Sequence, residues 1–414
     1  MWSILKGVVA GLIISTPATA AVPEDAALAF TTYCGRSVAL WGKSLCGPLL
    51  FVDPQTRAAL ATADAGEGFI KKGNLWTGTL PKSVSVANTS VEVNGTRFAE
   101  ILLPLPEDPI QTSTLLAHEA YHRIQPDLGF KGVEADNGHL DRKQARILAR
   151  LEAAALRAAL TSKAWRQSAR DALSYRAQRL KLAAAADKAE ASLIANEGLA
   201  EYTGIVVGAA GQARTYAVKA LDTVNTRPSL IRSWGYVVGP AYGLLLDRTG
   251  RPWRKAALEG EPLPAMLAAA IGTHPALTKP LARYGAPAIL AEETSRDVKL
   301  QQRSAELTAT LVSGPTVTFP FQKMSIDFDP NTLFALGDAG TAYSRATRIR
   351  DAWGIVTATG DLLISPNWSF ARVAGPARAE GSRLSGPGWT AELAAGFMAV
   401  PGERPGDLVI KKTQ

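Results

Sequence analysis

Apolar and polar residues change their spacing several times along this chain, and each spacing predicts a kind of element. Between residues 49 and 105, short apolar runs alternate with turn signals, as strands do. Ser90 to Phe98 reads as a hairpin with Asn94-Gly95 at its tip, and Ala99 to Leu103 as a strand that stops at Pro104. From Thr114 to Arg123 the pattern becomes helical, with Leu115 and Leu116 as the apolar side and Thr112 or Ser113 as the cap. Residues 141 to 203 predict long helices. Ile147, Leu148, Leu151, Ala155 and Leu160 fit one apolar face, as do Trp165, Ala169, Leu173 and Leu180 in the following stretch. From about residue 300 the texture changes to short β-type runs, at Leu307 to Val317, Met324 to Phe328, Ile355 to Thr359 and Leu362 to Ser365. Gly, Pro, Asp and Asn separate them, and Thr359-Gly360-Asp361 predicts a hairpin turn. The expected fold class is therefore α+β, a mostly helical region preceded by a small sheet and followed by a β-rich domain.

The first residues carry a different signal. Lys6 precedes an apolar core from Gly7 to Ile14, and Pro17-Ala18-Thr19-Ala20 offers a small-residue cleavage site. The apolar run is too short to span a bilayer. Met1 to Ala20 is expected to be a cleaved signal peptide, with the mature chain periplasmic or secreted. In that setting Cys34 and Cys46, the only two cysteines, predict a disulfide. Two buried free thiols are the alternative, and the spacing does not suit a structural zinc site.

Composition narrows the class further. The chain has 414 residues, 47% of them hydrophobic, which suits a globular protein of two or three domains. Lys and Arg number 45 against 37 Asp and Glu, a net charge of +8. A dense basic run contributes Arg142, Lys143, Arg146, Arg150, Arg157, Lys163, Arg166, Arg170, Arg176, Arg179 and Lys181. It reads either as solvated helix faces or as attraction to an anionic envelope surface. There is no nucleic-acid-binding signature, and the expected partner is a peptide or protein substrate.

The chemistry concentrates at His118-Glu119-Ala120-Tyr121-His122, an HExxH pattern that uses two of only four histidines. On a helix, positions four apart share a face, so both imidazoles can bind one metal ion. Glu119 can reach a metal-bound water, as the base of a metalloprotease does. Catalytic zinc takes three protein ligands and keeps a fourth position open. Glu197, in Asn196-Glu197-Gly198-Leu199-Ala200, is the candidate third ligand. Glu201, four residues on, can accept the outer N–H of a ligating histidine.

These two motifs, in this order, resemble the gluzincin metallopeptidases. Asn196-Glu197-Gly198-Leu199-Ala200 is similar to the glutamate motif of their aminopeptidase branch. The resemblance implies a zincin-like catalytic region, Zn2+ held by His118, His122 and Glu197, and peptide-bond hydrolysis by a zinc-bound water activated by Glu119. It also implies a downstream tyrosine as oxyanion donor. Tyr236 and Tyr242 are the candidates, Tyr242 having the smaller neighbours, and His274 is an alternative; each can equally serve packing. The interval between His122 and Glu197 is longer than in the aminopeptidases, and no GxMEN-like stretch precedes His118. His139 and Asp141 are rival third ligands. Gln125 and Leu128 stand where a metzincin would need Gly and His, which excludes that class.

The expected organisation is a signal peptide over 1–20 and an α/β segment with a sheet over 21–105. A helical zincin-like catalytic region over 106–300 and a β-rich domain over 301–414 follow. The activity expected is that of an exported zinc metallopeptidase. The alternative is a catalytically inactive zincin-like scaffold or binding protein of the cell envelope.

Overall fold

A computed structural model describes residues 22–130, 136–273, 277, 279, 281–329 and 332–413. The expected signal peptide, Met1 to Ala20, lies outside the described residues, as does His274. The architecture is α+β, with a helical N-terminal region and a β-rich C-terminal part. The chain divides into two compact units, one ending at Glu293 and the other starting at Thr294.

The first unit opens with helices α1 (Pro23–Tyr33) and α2 (Val38–Trp41), and Cys34 is bonded to Cys46 as a disulfide. Six strands follow: β1 (Leu49–Val52), β2 (Ala58–Ala61), β3 (Phe69–Lys72), β4 (Leu75–Thr79), β5 (Thr89–Val93) and β6 (Thr96–Leu102). They form one sheet in the order β3-β4-β2-β1-β6-β5, in which only β1 and β6 run parallel. Strand alternation divides the residues of β1 and β6 between two cores. Leu49, Phe51, Ala99 and Ile101 join the helical core, whereas Leu50, Val52 and Phe98 join a smaller one. The β5–β6 hairpin turns at Asn94 (φ 48°) and Gly95 (φ 77°), the two left-handed positions that an Asn-Gly turn supplies.

The helices of this unit are α3 (Pro109–Ile124), α4 (Lys143–Thr161), α5 (Trp165–Leu180), α6 (Ala186–Leu193), α7 (Leu199–Gly208), α8 (Ala213–Thr223), α9 (Trp234–Thr249), α10 (Arg254–Leu258) and α11 (Leu263–Ile271). The division falls within α12 (Ala286–Thr308). Helix α3 begins a turn earlier than its Thr112 or Ser113 cap would place it. Asp108 caps it by accepting from Ile110 N at 2.9 Å, and Pro109 occupies the first helical position. An aspartate followed by proline is a stronger start, because the proline has no N–H to satisfy. Thr112 instead donates to Pro106 O. Nor does Asp141 cap the next helix by its side chain; it ends a 3-10 turn, Gly138–Asp141.

The basic run of α4 and α5 is only partly a solvated face. Arg146, Arg150, Arg176 and Arg179 are buried, and carboxylates from other elements meet them. Arg146 and Arg150 pair with Glu293; Arg176 and Arg179 pair with Glu190; Arg179 also pairs with Glu152. The spacing of basic residues cannot reveal this, because the partners lie far along the chain. Buried charges are retained only when paired in this way.

The second unit contains two sheets of seven and six strands. Part of the run from Leu307 to Val317 is helical rather than extended. α12 continues to Thr308, past the expected boundary at 300, and a π-helical turn follows at Ala309–Ser313. Leu307 and Leu311, four apart, are both buried against Ala342 and Leu363. That spacing is helical, and the β-branched residues around it conceal it. Thr359-Gly360-Asp361 is not a hairpin turn. Strand Gly354–Ala358 lies in the six-stranded sheet and strand Asp361–Ile364 in the seven-stranded one, so the turn carries the chain between sheets.

Candidate metal centre

Helix α3 packs on β6 and presents His118 and His122 one turn apart. Their Nε2 atoms lie 3.1 Å apart. Glu197 comes from a π-helical turn, Ile194–Gly198, between α6 and α7. Such single-turn bulges re-aim a side chain that a regular helix would direct elsewhere. Its Oε2 lies 3.6 Å from His118 Nε2 and 3.3 Å from His122 Nε2. The three atoms form a nearly equilateral triangle. A tetrahedral ion with ligand distances of about 2.0–2.1 Å needs donor atoms about 3.3–3.4 Å apart.

Close helix contacts hold this triangle. Gly204 of α7 lies against the backbone of α3, where an added Cβ would sit 2.8 Å from Thr114 O and 3.3 Å from the Cβ of His118. Gly239 of α9 meets the π-turn, where a Cβ would fall 2.3 Å from the Cα of Gly198. Small residues at these crossings bring the histidine helix, the glutamate turn and α9 together at backbone distance.

The outer imidazole nitrogens are fixed. His118 Nδ1 pairs with Glu201 Oε2 at 2.8 Å, and His122 Nδ1 with Gln125 Oε1 at 2.8 Å. The Gln125 amide nitrogen faces the carbonyls of Ala195 and Asn196, which leaves its oxygen for His122. Each partner accepts a hydrogen bond from Nδ1–H. A neutral imidazole so held directs its Nε2 lone pair at the other ring and at Glu197. Three lone-pair donors facing one point repel each other unless a proton or a metal cation stands between them. Glu197 Oε2 has no hydrogen-bond partner among the described residues, which agrees with that reading. The donor set of two imidazoles and one carboxylate fits zinc.

The carboxylates that would face an ion also favour a proton on His118. Burial opposes charge on His118, but Glu197 and Glu201, with Glu119 behind them, push it up to about 10. Burial raises Glu197, yet the two histidines and Tyr236 outweigh it and hold the carboxylate well below its ordinary range. Burial is the largest influence on Glu119 and raises it; the histidines oppose this, and Glu197 and Glu201 reinforce it. Glu119 is buried and its Oε2 is unpartnered among the described residues. Donor atoms of His118, Glu119 and His122 all lie within 4.8 Å of one another.

Of the two tyrosines, only Tyr236 is at the site. Its ring stacks on His118, with centroids 5.4 Å apart and planes 4° from parallel, and Glu197 lies near enough to act on its hydroxyl. Burial, reinforced by Glu197, pushes its pKa well up, so the hydroxyl keeps its proton. Tyr242 is fully buried elsewhere and donates to Glu152 Oε1 at 2.6 Å. Six residues along a helix turn the side chain about 240° past a full turn, which separates the two tyrosines. The small residues beside Tyr242 serve helix contact; Gly243, for example, lies against the Tyr202 ring.

The rival ligands are engaged elsewhere. His139 Nε2 pairs with Glu190 Oε1 at 2.9 Å, and Asp141 Oδ1 bonds to Arg146 and to Leu230 N. His274 falls outside the described residues. The HExxH pattern does not reveal Gln125 as a partner of His122. Its position three residues after the second histidine, on the same side, was the available signal.

No family model, curated protein or solved structure matches the chain.

Proposed function

We propose that this protein is a zinc-dependent metallopeptidase of gluzincin type, exported and active on peptide bonds. The observation that carries the reading is the triangle of His118 Nε2, His122 Nε2 and Glu197 Oε2, with sides of 3.1, 3.3 and 3.6 Å. His118, His122 and Glu197 would hold the ion. Zinc, when bound, polarises a carbonyl and lowers the pKa of water, supplying a nucleophile at neutral pH. Glu119 accepts a proton from the attacking water and passes it to the leaving amine nitrogen. Its unpartnered oxygen and the burial that raises its proton affinity suit both roles. Tyr236, held against His118 and kept protonated, donates its hydroxyl to the oxyanion of the attacked carbonyl. Glu201 and Gln125 keep the two rings in the ligating tautomer. The intact Glu119 favours an enzyme over an inactive scaffold, which has no use for a base. Export rests on the signal-like start of the sequence and agrees with the Cys34–Cys46 disulfide.

Metal content of the mature protein, purified without chelator, tests the reading beside cleavage of a broad peptide library. One zinc per chain and chelator-sensitive cleavage are expected, with zinc lost in His118→Ala and Glu197→Ala. A folded wild-type protein that refuses zinc would end the proposal. Zinc binding without cleavage of any peptide would favour the scaffold.

A further inference from the structure

A cavity of about 330 Å³ shares two of its walls, Glu201 and Tyr236, with the candidate metal centre. Its other lining includes Arg227, Arg232 and Ser233, where α9 begins. Neither arginine has a carboxylate partner among the described residues. Arg232 is exposed, and Arg227 is half-buried with its Nε donating to Thr223 Oγ1 at 2.9 Å. This contrasts with Arg146, Arg150, Arg176 and Arg179, which are all paired. Two guanidinium groups without an ion-pair partner among the described residues, lining a cavity beside the candidate metal centre, are free to take an anion from outside the chain.

We propose that this cavity is the specificity pocket of the peptidase, and that Arg227 and Arg232 bind a carboxylate of the substrate next to the scissile bond. The inference rests on the metallopeptidase reading and names its substrate class. Three arguments support it. The first is charge. Glu119, Glu197 and Glu201 together outweigh a divalent ion, so without the arginines the site would repel an anion; the two guanidinium groups reverse that sign. The second is shape. Guanidinium matches carboxylate in a two-point fork, and the positive end of the α9 dipole adds to the same field. The third is size. The volume is at the low end for ligand pockets, enough for one residue. The carboxylate therefore belongs either to the C-terminus of a short peptide or to an Asp or Glu side chain.

The test measures binding to the zinc-loaded Glu119→Gln protein, which should not turn substrate over. Three N-acetylated tripeptides serve as probes in calorimetry: a neutral peptide with a free C-terminal carboxylate, a peptide amide containing one Glu, and a neutral peptide amide. At least one acidic probe should bind about 10-fold or more tightly than the neutral amide, as charge-assisted hydrogen bonds permit. Preference for the free acid identifies a chain end, and preference for the Glu peptide an acidic side chain. Adding Arg227→Ala and Arg232→Ala should abolish the margin while zinc content stays at one per chain. Equal binding of the three probes, no binding of any, or a margin that survives loss of both arginines overturns the proposal. Wild-type cleavage separates the two levels. Chelator-sensitive cleavage of acidic and neutral peptides at equal rates would leave the peptidase standing and remove the pocket. Arginine-dependent binding without cleavage would do the reverse.

Discussion

Glu201 accepts from His118 at 2.8 Å although the two lie on different helices, and its placement depends on Gly204, one turn on, touching the backbone of α3. The carboxylate fixes which nitrogen of His118 faces Glu197. Removing it as Glu201→Ala should weaken zinc affinity about 10- to 100-fold without unfolding the protein. Gln125→Ala should act likewise through His122. Competition with a chromophoric chelator checks both, and unchanged affinity in both variants would show that ring orientation is held by packing alone.

Glu119→Gln should keep zinc and lose turnover about 100- to 10,000-fold, the range expected for a positioned general base. The informative readout is the pair of measurements on one protein sample. Lost activity with lost zinc would instead make Glu119 part of the metal's support.

The two tyrosines make an internal control. Tyr236→Phe should reduce kcat while zinc content and melting temperature stay near wild type. Tyr242→Phe should leave kcat unchanged and destabilise the fold by about 1–3 kcal/mol, because Glu152 loses a buried donor. Calorimetry with steady-state kinetics would separate them, and the reverse pattern would exchange their roles.

Gly239→Ala places a methyl group where the Cα of Gly198 stands only 2.3 Å away. The helices must separate, at a cost of about 1–3 kcal/mol. Glu197 rides on the displaced turn, so zinc affinity should fall together with stability. A variant as stable as wild type, with full affinity, would show that α9 does not hold the turn.

Glu100 gives a pH dependence away from the site. It is buried on β6, with both carboxylate oxygens unpartnered among the described residues, and burial pushes it from 4.5 up to about 7. An acid whose pKa is raised by folding supports the fold fully below its unfolded value, and that support is lost as pH rises towards the folded value. Wild-type stability should therefore decline between about 4.5 and 7 relative to Glu100→Gln. Denaturant titrations at pH 4, 6 and 8 would read the gap, and a gap independent of pH would mean that Glu100 finds a partner in solution.

What the sequence alone determined is local. Helical spacing put His118 and His122 on one face, Asn94-Gly95 specified the hairpin turn, and Glu201 follows Glu197 by four positions. Each follows from backbone geometry within a few residues. Tertiary structure decided everything that depends on which helices meet. It put Tyr236 beside His118 and buried Tyr242, directed His139 to Glu190, paired four arginines internally, and left Arg227 and Arg232 without carboxylates among the described residues. It also set Glu197 on a π-turn, which no periodicity announces. The physical reason is that a side chain's direction follows from its own helix. Its partner follows from close contacts such as Gly204 on α3 and Gly239 on Gly198, between segments far apart in the chain.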